Sequence, residues 1–181
     1  LESEVARLHG RQVKVSELHT IYWEYVEKAR GYVRKRGNQP FAQGGEADGV
    51  LIIWEKYGAV PAEAYTGLLD GSTMHNHSPM MKEMKGFLEL CKEKGFWDEE
   101  AIIGHIRLIL DKYIGAPPAT VEFGGKTMTQ KDFFRYVLEI DTSYYVMMMS
   151  TLSVPFGTMD KFNVPDNWRP TYSYYNLPLD K

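Results

Sequence analysis

The sequence predicts an α+β fold in which helices come first and short strands follow. Up to about residue 114, apolar residues recur at three- and four-residue spacing, which is typical of helices that bury one face. After that point residues 120–128 indicate a hairpin turning at Gly124-Gly125, and residues 144–150 have the composition of a strand. With 181 residues, 44% of them apolar, the chain is long enough to bury one good core.

Capping side chains and glycines define the predicted helices. Ser16, Ser78, Asp98 and Thr129 are expected at N-caps, where a side-chain oxygen accepts a main-chain N–H group. Glycines are expected to end most of the helices. The predicted helices cover roughly residues 1–8, 16–36, 46–57, 78–94, 98–114 and 129–140. The fourth and fifth of these look like an αα-hairpin arm inserted into the base fold.

The tail from Thr151 is rich in proline, asparagine and aromatic residues. It is expected to be mostly irregular, with one further strand at residues 172–175. We interpret its aromatic run, residues 168–175, as part of a core and not as a platform for a ligand.

The charge balance excludes several classes of partner. The net charge is −3, with both signs interspersed, so there is no basic field for nucleic acid or for an anionic membrane surface. No apolar run reaches the length of a membrane span. A single cysteine, Cys91, excludes an internal disulfide framework.

The most informative stretch runs from Gln43 to Tyr65. A glycine pair, Gly44-Gly45, precedes a helix that leads into Lys-Tyr-Gly-Ala-Val-Pro-Ala-Glu-Ala-Tyr. Without a Cβ atom, the main chain of the pair can approach another molecule closely. Gly58 ends the helix and Pro61 prevents it from restarting. The pattern therefore predicts bare main chain beside a packed helix.

This stretch resembles the papain-like cysteine peptidases, and most closely their bleomycin hydrolase and aminopeptidase C branch. Residues 13–18 resemble the Leu-Ser-Glu helix start of that family, and residues 1–8 resemble the tail of the helix that carries its nucleophilic cysteine. Residues 120–138 resemble the hairpin and helix inserted in this branch, whereas residues 66–119 match it only loosely.

The resemblance implies one incomplete papain-like domain over residues 1–181. Residues 1–65 would form the core of the helical lobe, residues 66–140 an inserted helical arm and hairpin, and residues 141–181 the start of the β-rich lobe. The absence of cystines favours the bleomycin hydrolase branch and a reducing, cytoplasmic compartment. An exported or periplasmic location stays open, because any signal peptide would precede residue 1.

The resemblance also implies an activity, the hydrolysis of peptide bonds as an aminopeptidase. It implies a peptide substrate, no cofactor and assembly of the parent protein as a homo-oligomer. The family's nucleophilic cysteine is expected before Leu1, and its histidine and asparagine after Lys181. Its oxyanion-hole glutamine also precedes the cysteine, so neither Gln12 nor Gln43 inherits that role. We therefore expect an internal segment that carries no catalytic residue and no metal site of its own.

Gly44 and Gly45 are the expected substrate-binding residues. In the family the matching glycine pair bonds through its main chain to an extended peptide, a form of strand addition. An ordinary loop-to-helix turn is the alternative interpretation. Glu46 and Asp48 would either attract a substrate amine or favour the helix dipole as first-turn acids.

Cys91 and the histidines have structural interpretations. Cys91 lies on the apolar face of a Met-rich helix, so it is expected to be a buried small hydrophobe and not a nucleophile. His75 and His77, with Asp70 as a third ligand, are a weak alternative as a metal site. The remaining histidines are expected to cap, pack or hydrogen-bond; they are His9, His19 and His105.

The main alternative function is a non-catalytic papain-like binding or scaffold module. The parent gene distinguishes the two, because a Gln…Cys-Trp stretch upstream and a His…Asn pair downstream favour the enzyme. A metal-binding protein using the two loop histidines is the weaker rival.

Overall fold

The computed structural model describes residues 1–45, 47–69, 72–164, 169 and 171–178. Within these residues the chain forms the predicted α+β fold, with helices before strands. The helices are α1 (Glu2–His9), α2 (Glu17–Arg34), α3 (Ala47–Tyr57), α4 (Ser78–Lys94), α5 (Glu99–Ile114) and α6 (Gln130–Asp132). The strands are β1 (Thr120–Phe123), β2 (Lys126–Thr129), β3 (Met147–Met149), β4 (Met159–Asn163) and β5 (Thr171–Asn176). Short 3₁₀ turns lie at Ala62–Ala64 and Thr142–Tyr144.

The predicted caps are confirmed at three helices. The Ser16 hydroxyl accepts from the main-chain N–H of His19 at 3.1 Å, and the Asp98 carboxylate accepts from that of Ala101 at 3.0 Å. The Thr129 hydroxyl accepts from the N–H of Asp132 at 3.1 Å. Each bond satisfies one of the donors that a helix start leaves without an intrahelical partner.

The prediction for α4 was wrong by one residue. Ser78 is the first helical residue and His77 occupies the N-cap, without a capping bond from its side chain. The main-chain N–H of Ser78 donates instead to Asn76 Oδ1 at 3.1 Å. The asparagine two residues upstream thus supplies the acceptor that was assigned to the serine.

The helix predicted at residues 129–140 has a different form. It begins as α6 and continues as a π-helix at Phe133–Leu138, and Glu139 ends it in the left-handed region with φ 49°. Capping residues predict where a helix starts, but they do not set its hydrogen-bond spacing. That spacing responds to what the segment packs against.

The strands form two small sheets. β1 and β2 pair antiparallel around the predicted glycine turn, with Thr120 opposite Thr129. In the second sheet β5 is central, with β3 parallel to it on one side and β4 antiparallel on the other. The strand predicted at residues 144–150 shrinks to β3, because Asp141 caps a 3₁₀ turn just before it.

The tail is more regular than predicted. β4 was not expected, because its sequence, Met-Asp-Lys-Phe-Asn, lacks the alternation of a half-buried strand. It is mostly exposed and pairs along one edge with β5. The predicted strand at residues 172–175 is confirmed within β5, whose Tyr172 and Tyr174 are buried. Trp168, the start of the aromatic run, lies outside the described residues.

Helix α2 lies between two apolar clusters. One cluster joins its apolar stripe to the inner faces of α4 and α5. The other is built from α1, α3, the β1–β2 hairpin and the π-helix. Leu18 and Trp23 of α2 contact both clusters. The position of α2 therefore sets the positions of the loops that leave it, including the loop that carries Gly44 and Gly45.

Polar bonds fasten the α4–α5 arm to α2. Tyr22 donates its hydroxyl to Asp111 at 2.8 Å, and Arg30 and Arg34 bond Glu99 at 2.7 and 2.8 Å. No helix among the described residues is both long enough and apolar enough to cross a membrane.

Candidate functional site

Gly44 and Gly45 lie in the exposed loop between α2 and α3. We call their main chain the glycine ledge. Gly44 has φ 87°, a conformation that side-chain-bearing residues rarely adopt, and a Cβ built on it would meet no atom within 4 Å. A Cβ built on Gly45 would instead come 2.9 Å from Cδ of Glu24. Glycine is therefore favoured at position 44 by its backbone conformation and at position 45 by the close approach of Glu24 on α2.

A groove of about 500 Å³ lies between the start of α1, the first half of α2 and α3. Its lining is apolar at Val15, Ile21, Val50 and Trp54. Glu24 and Ala47 also line it. Glu24 approaches the glycine ledge through space, and Ala47 follows the ledge by two residues in the sequence. We call this cavity the α1–α3 groove. The ledge thus lies beside a cavity that reaches the start of the first helix.

Three carboxylates line the groove. They belong to Glu2, Glu17 and Glu24, and no lysine, arginine or histidine is among the described residues that line it. One oxygen of Glu2 accepts from the main-chain N–H of Val15 at 2.8 Å, which fixes that carboxylate against the loop before α2. Lys14 pairs with Glu2 at 3.5 Å and Lys28 with Glu24 at 3.0 Å, so the charges of these two carboxylates are compensated within the fold.

The sequence analysis did not identify Lys28, which lies directly beneath the ledge. Its ammonium donates to the carbonyl of Ala42 at 3.1 Å and to that of Gly44, and it pairs with Glu24 at 3.0 Å. The available signal was a lysine four residues after a glutamate on a helix with a strong apolar stripe. That pattern usually indicates a solvated pair, so burial could not be deduced from it.

Of the two acidic residues that follow the ledge, Asp48 has a partner within the fold. Asp48 lies in the first turn of α3, and Arg169 donates to its carboxylate at 2.6 Å. Its charge is therefore compensated within the fold, which favours the structural interpretation over attraction of a substrate amine. Glu46 lies outside the described residues.

Cys91 occupies the position expected of a buried hydrophobe. Its side chain is 5% exposed and belongs to the cluster between α2, α4 and α5. Burial raises the pKa of its thiol, which disfavours the thiolate that attacks in thiol peptidases.

The two loop histidines, His75 and His77, have ring centroids 5.8 Å apart. Partial burial and the neighbouring His75 lower the pKa of His77. No group of three metal-ligating side chains occurs in the described part of the chain, and Asp70 lies outside it.

The remaining histidines take part in packing and local bonding. His9 lies 3.2 Å from the carbonyl of Glu139, and His105 stacks on Phe87 with centroids 3.9 Å apart. His19 is almost fully buried, and its Nε2 lies 3.1 Å from both Trp23 Nε1 and Gln130 Oε1. Burial lowers the pKa of His19 to about 4, so its imidazole is neutral at pH 7.

Comparison with known proteins gives matches along nearly the whole chain. Aminopeptidase C of Streptococcus thermophilus is 22% identical over 208 aligned positions, which cover 93% of this chain and 47% of that protein. Aminopeptidase C of Listeria monocytogenes serovar 1/2a is 21% identical, over 94% of this chain and 47% of that protein. The chain is similar to aminopeptidase C along nearly its whole length.

The predicted resemblance to aminopeptidase C is thereby confirmed. The crystal structure of PepW from Lactobacillus rhamnosis HN001 matches the fold with a TM-score of 0.66 at 16% identity. That match covers 97% of this chain and 49% of PepW, and it confirms the predicted papain-like α+β fold. The chain spans about half the length of the curated relatives it matches. No family model matches it.

Proposed function

We propose that the full-length protein is a papain-like cysteine peptidase of the aminopeptidase type. In this proposal the present chain supplies the glycine ledge that binds the peptide substrate, and the nucleophile and base lie outside residues 1–181. The observation that carries the proposal is the exposed main chain of Gly44 and Gly45 at the edge of the α1–α3 groove. The relation to aminopeptidase C supports the class of reaction.

The ledge would act by positioning the substrate. An extended peptide that bonds to main chain at the ledge has its own main chain fixed along the groove, as in strand addition. Fixing the substrate in this way places the scissile carbonyl against the nucleophile and lowers the entropic part of the barrier. Among the carboxylates of the groove, that of the exposed Glu17 suits a substrate that carries a free amino terminus, because an ammonium group is attracted to it.

The chemistry itself would follow the thiol peptidase scheme. A thiolate at a helix N-terminus attacks the carbonyl, an imidazolium protonates the leaving amine, and water releases the acyl group. Cys91 has no part in this scheme, because it is buried and its pKa is raised.

Replacing Gly44 with alanine tests the ledge in the full-length protein. Alanine disfavours φ 87° by roughly 1 to 2 kcal/mol, so the ledge is expected to shift and kcat/KM for peptide substrates to fall about tenfold. The matched control is Gly125→Ala in the β1–β2 turn, which also has a positive φ (74°) and open space around its Cβ position. That control is expected to leave kcat/KM unchanged.

A thiol-directed inhibitor and a depsipeptide complete the test. A thiol-alkylating reagent is expected to abolish peptidase activity of the full-length protein. A substrate in which an ester replaces the amide whose carbonyl faces the ledge is expected to react about tenfold more slowly than the amide, since an ester carbonyl is a weaker hydrogen-bond acceptor. Peptide binding without any turnover would contradict the enzyme and support the scaffold alternative.

A further inference from the structure

Lys28 has an ammonium group that is almost completely withdrawn from water. Its side chain is 7% exposed, although lysine is among the residues least often buried. A buried ammonium is costly unless its donors are all paired, and it has three of them. Here three oxygen atoms lie within bonding distance of Nζ: the carbonyls of Ala42 and Gly44 and one carboxylate oxygen of Glu24. Two hydrogen bonds and one ion pair therefore hold the charge.

These partners come from two different parts of the fold. Glu24 lies one turn before Lys28 on α2, whereas Ala42 and Gly44 belong to the loop that leads to α3. In the described residues, no main-chain to main-chain hydrogen bond involves residues 40–45. The lysine thus supplies hydrogen bonds that tie this part of the loop to the helix.

Glu24 also restricts the space around Gly45, the residue that follows Gly44. A Cβ at Gly45 would come 2.9 Å from Cδ of Glu24, so a side chain at this position would require the carboxylate to leave its place beside Lys28. The same side chain lines the α1–α3 groove. The ion pair between Glu24 and Lys28 therefore supports the ledge from below, at the point where the ledge meets the groove.

The bond to Gly44 also determines how the ledge is oriented. The carbonyl of Gly44 and the N–H of Gly45 belong to one planar trans peptide group, so they point in opposite directions. Because the carbonyl faces Lys28, the N–H of Gly45 faces away from α2. A donor in that position is available to a carbonyl of an extended peptide lying on the ledge.

We propose that Lys28 is a positioning residue for substrate binding, which presents the N–H of Gly45 to the peptide main chain by holding the carbonyls of Ala42 and Gly44. This proposal rests on the proposed function of the ledge. Lys28 itself does not touch the substrate. It acts through the orientation of the Gly44–Gly45 peptide group, with Glu24 as its counter-charge.

The first test is structural and does not depend on activity. In crystal structures of the full-length protein, Lys28→Met is expected to release the Gly44 carbonyl, so that the Gly44–Gly45 peptide group rotates or loses its single conformation. The matched control is Lys92→Met. Lys92 likewise donates to a glycine carbonyl of this loop, that of Gly37 at 2.9 Å, but it is exposed and lies at the other end of the loop. An unchanged Gly44–Gly45 peptide in Lys28→Met would overturn the proposal.

The second test is kinetic and uses the amide and ester substrates described above. Lys28→Met is expected to raise KM about tenfold with kcat within about twofold, because binding away from the reacting atoms is uniform between ground and transition states. The penalty for the ester over the amide is expected to shrink from about tenfold to about twofold, since both changes weaken the same hydrogen bond, from the Gly45 N–H to the substrate carbonyl. A merely structural loss would lower activity on both substrates equally and leave that ratio unchanged.

The outcomes separate the two proposals. Glu24→Gln, a milder change, is expected to raise KM in the same direction, and it replaces Lys28→Met if that variant does not fold. A wild-type protein without peptidase activity would refute the proposed function, while the crystal structures still decide the role of Lys28. An active wild type with an unchanged ester ratio in the lysine variant would refute the positioning role and leave the function standing.

Discussion

Single residues in this chain differ sharply in what their surroundings permit. Gly44 and Gly45 are adjacent, yet one is glycine because of its backbone angle and the other because Glu24 approaches it. Lys28 and Lys92 both donate to loop carbonyls, but the first is buried with three oxygen partners and the second is exposed. The chemical type of a residue therefore says less about its role than the number of partners that surround it.

Replacing Cys91 tests its assignment as packing. In the full-length protein, Cys91→Ser is expected to leave kcat/KM for peptides within about twofold, because the thiol is buried away from the groove and its pKa is raised. The hydroxyl is expected to cost roughly 1 to 3 kcal/mol of stability where it finds no partner. Peptidase assays and thermal unfolding measure the two effects separately. Loss of activity with the fold preserved would make Cys91 the nucleophile after all.

Secondary-structure elements begin where local side chains can satisfy the first free N–H groups. Asp98 does this for α5, whereas Ser78, which looks like an equivalent cap, lies inside α4 and leaves the role to Asn76. The difference matters for the α4–α5 arm, because both helices contribute apolar residues to the cluster around α2. Loss of the cap at the start of α4 or α5 would let the first turn of that helix unfold.

The starts of α4 and α5 give a paired prediction. Asp98→Ala is expected to cost about 1 kcal/mol at the start of α5, which corresponds to roughly fivefold faster amide exchange in its first turn. Ser78→Ala is expected to change exchange at the start of α4 by less than about twofold, since its side chain makes no capping bond. Hydrogen-exchange mass spectrometry of the full-length protein resolves both helices. Equal effects at the two sites would contradict the assigned caps.

At the scale of the whole molecule, α2 connects the two apolar clusters. His19 is one of its buried polar residues and reaches Gln130 at the start of α6, far along the chain. Nε2 of His19 lies 3.1 Å from the indole N–H of Trp23, which can only donate, and 3.1 Å from Oε1 of Gln130, which can only accept, so its tautomer decides which of the two it bonds. Burial favours the neutral form of the ring.

This burial makes stability depend on pH. The pKa of His19 is about 4 in the folded protein and 6.5 as a free side chain, so between these values the unfolded chain binds more protons. The stabilisation by neutral His19 is complete above pH 6.5 and is lost as the pH falls toward 4, by roughly 3 kcal/mol in total.

Thermal unfolding of the full-length protein from pH 4 to pH 7 measures the effect. His19→Gln, which carries no titrating group at this position, is expected to show a flatter dependence than the wild type over that range. Parallel curves for the two proteins would mean that His19 is not buried in its neutral form.

The sequence by itself determined the features that depend on neighbours along the chain. Helix starts at Ser16 and Asp98, helix ends at glycines and the turn at Gly124-Gly125 follow from groups a few residues apart. The bare main chain at Gly44-Gly45 follows from the same local chemistry, since no side chain exists there to cover it.

Only the tertiary structure decided the features that depend on distant partners. The burial of Lys28 requires a loop to fold back over α2, and the close approach to Gly45 requires Glu24 beneath it. The π-helix and β4 likewise depend on what each segment packs against or pairs with. Their local patterns match several structures about equally, because the free energy that selects among them comes from contacts between segments far apart in the chain.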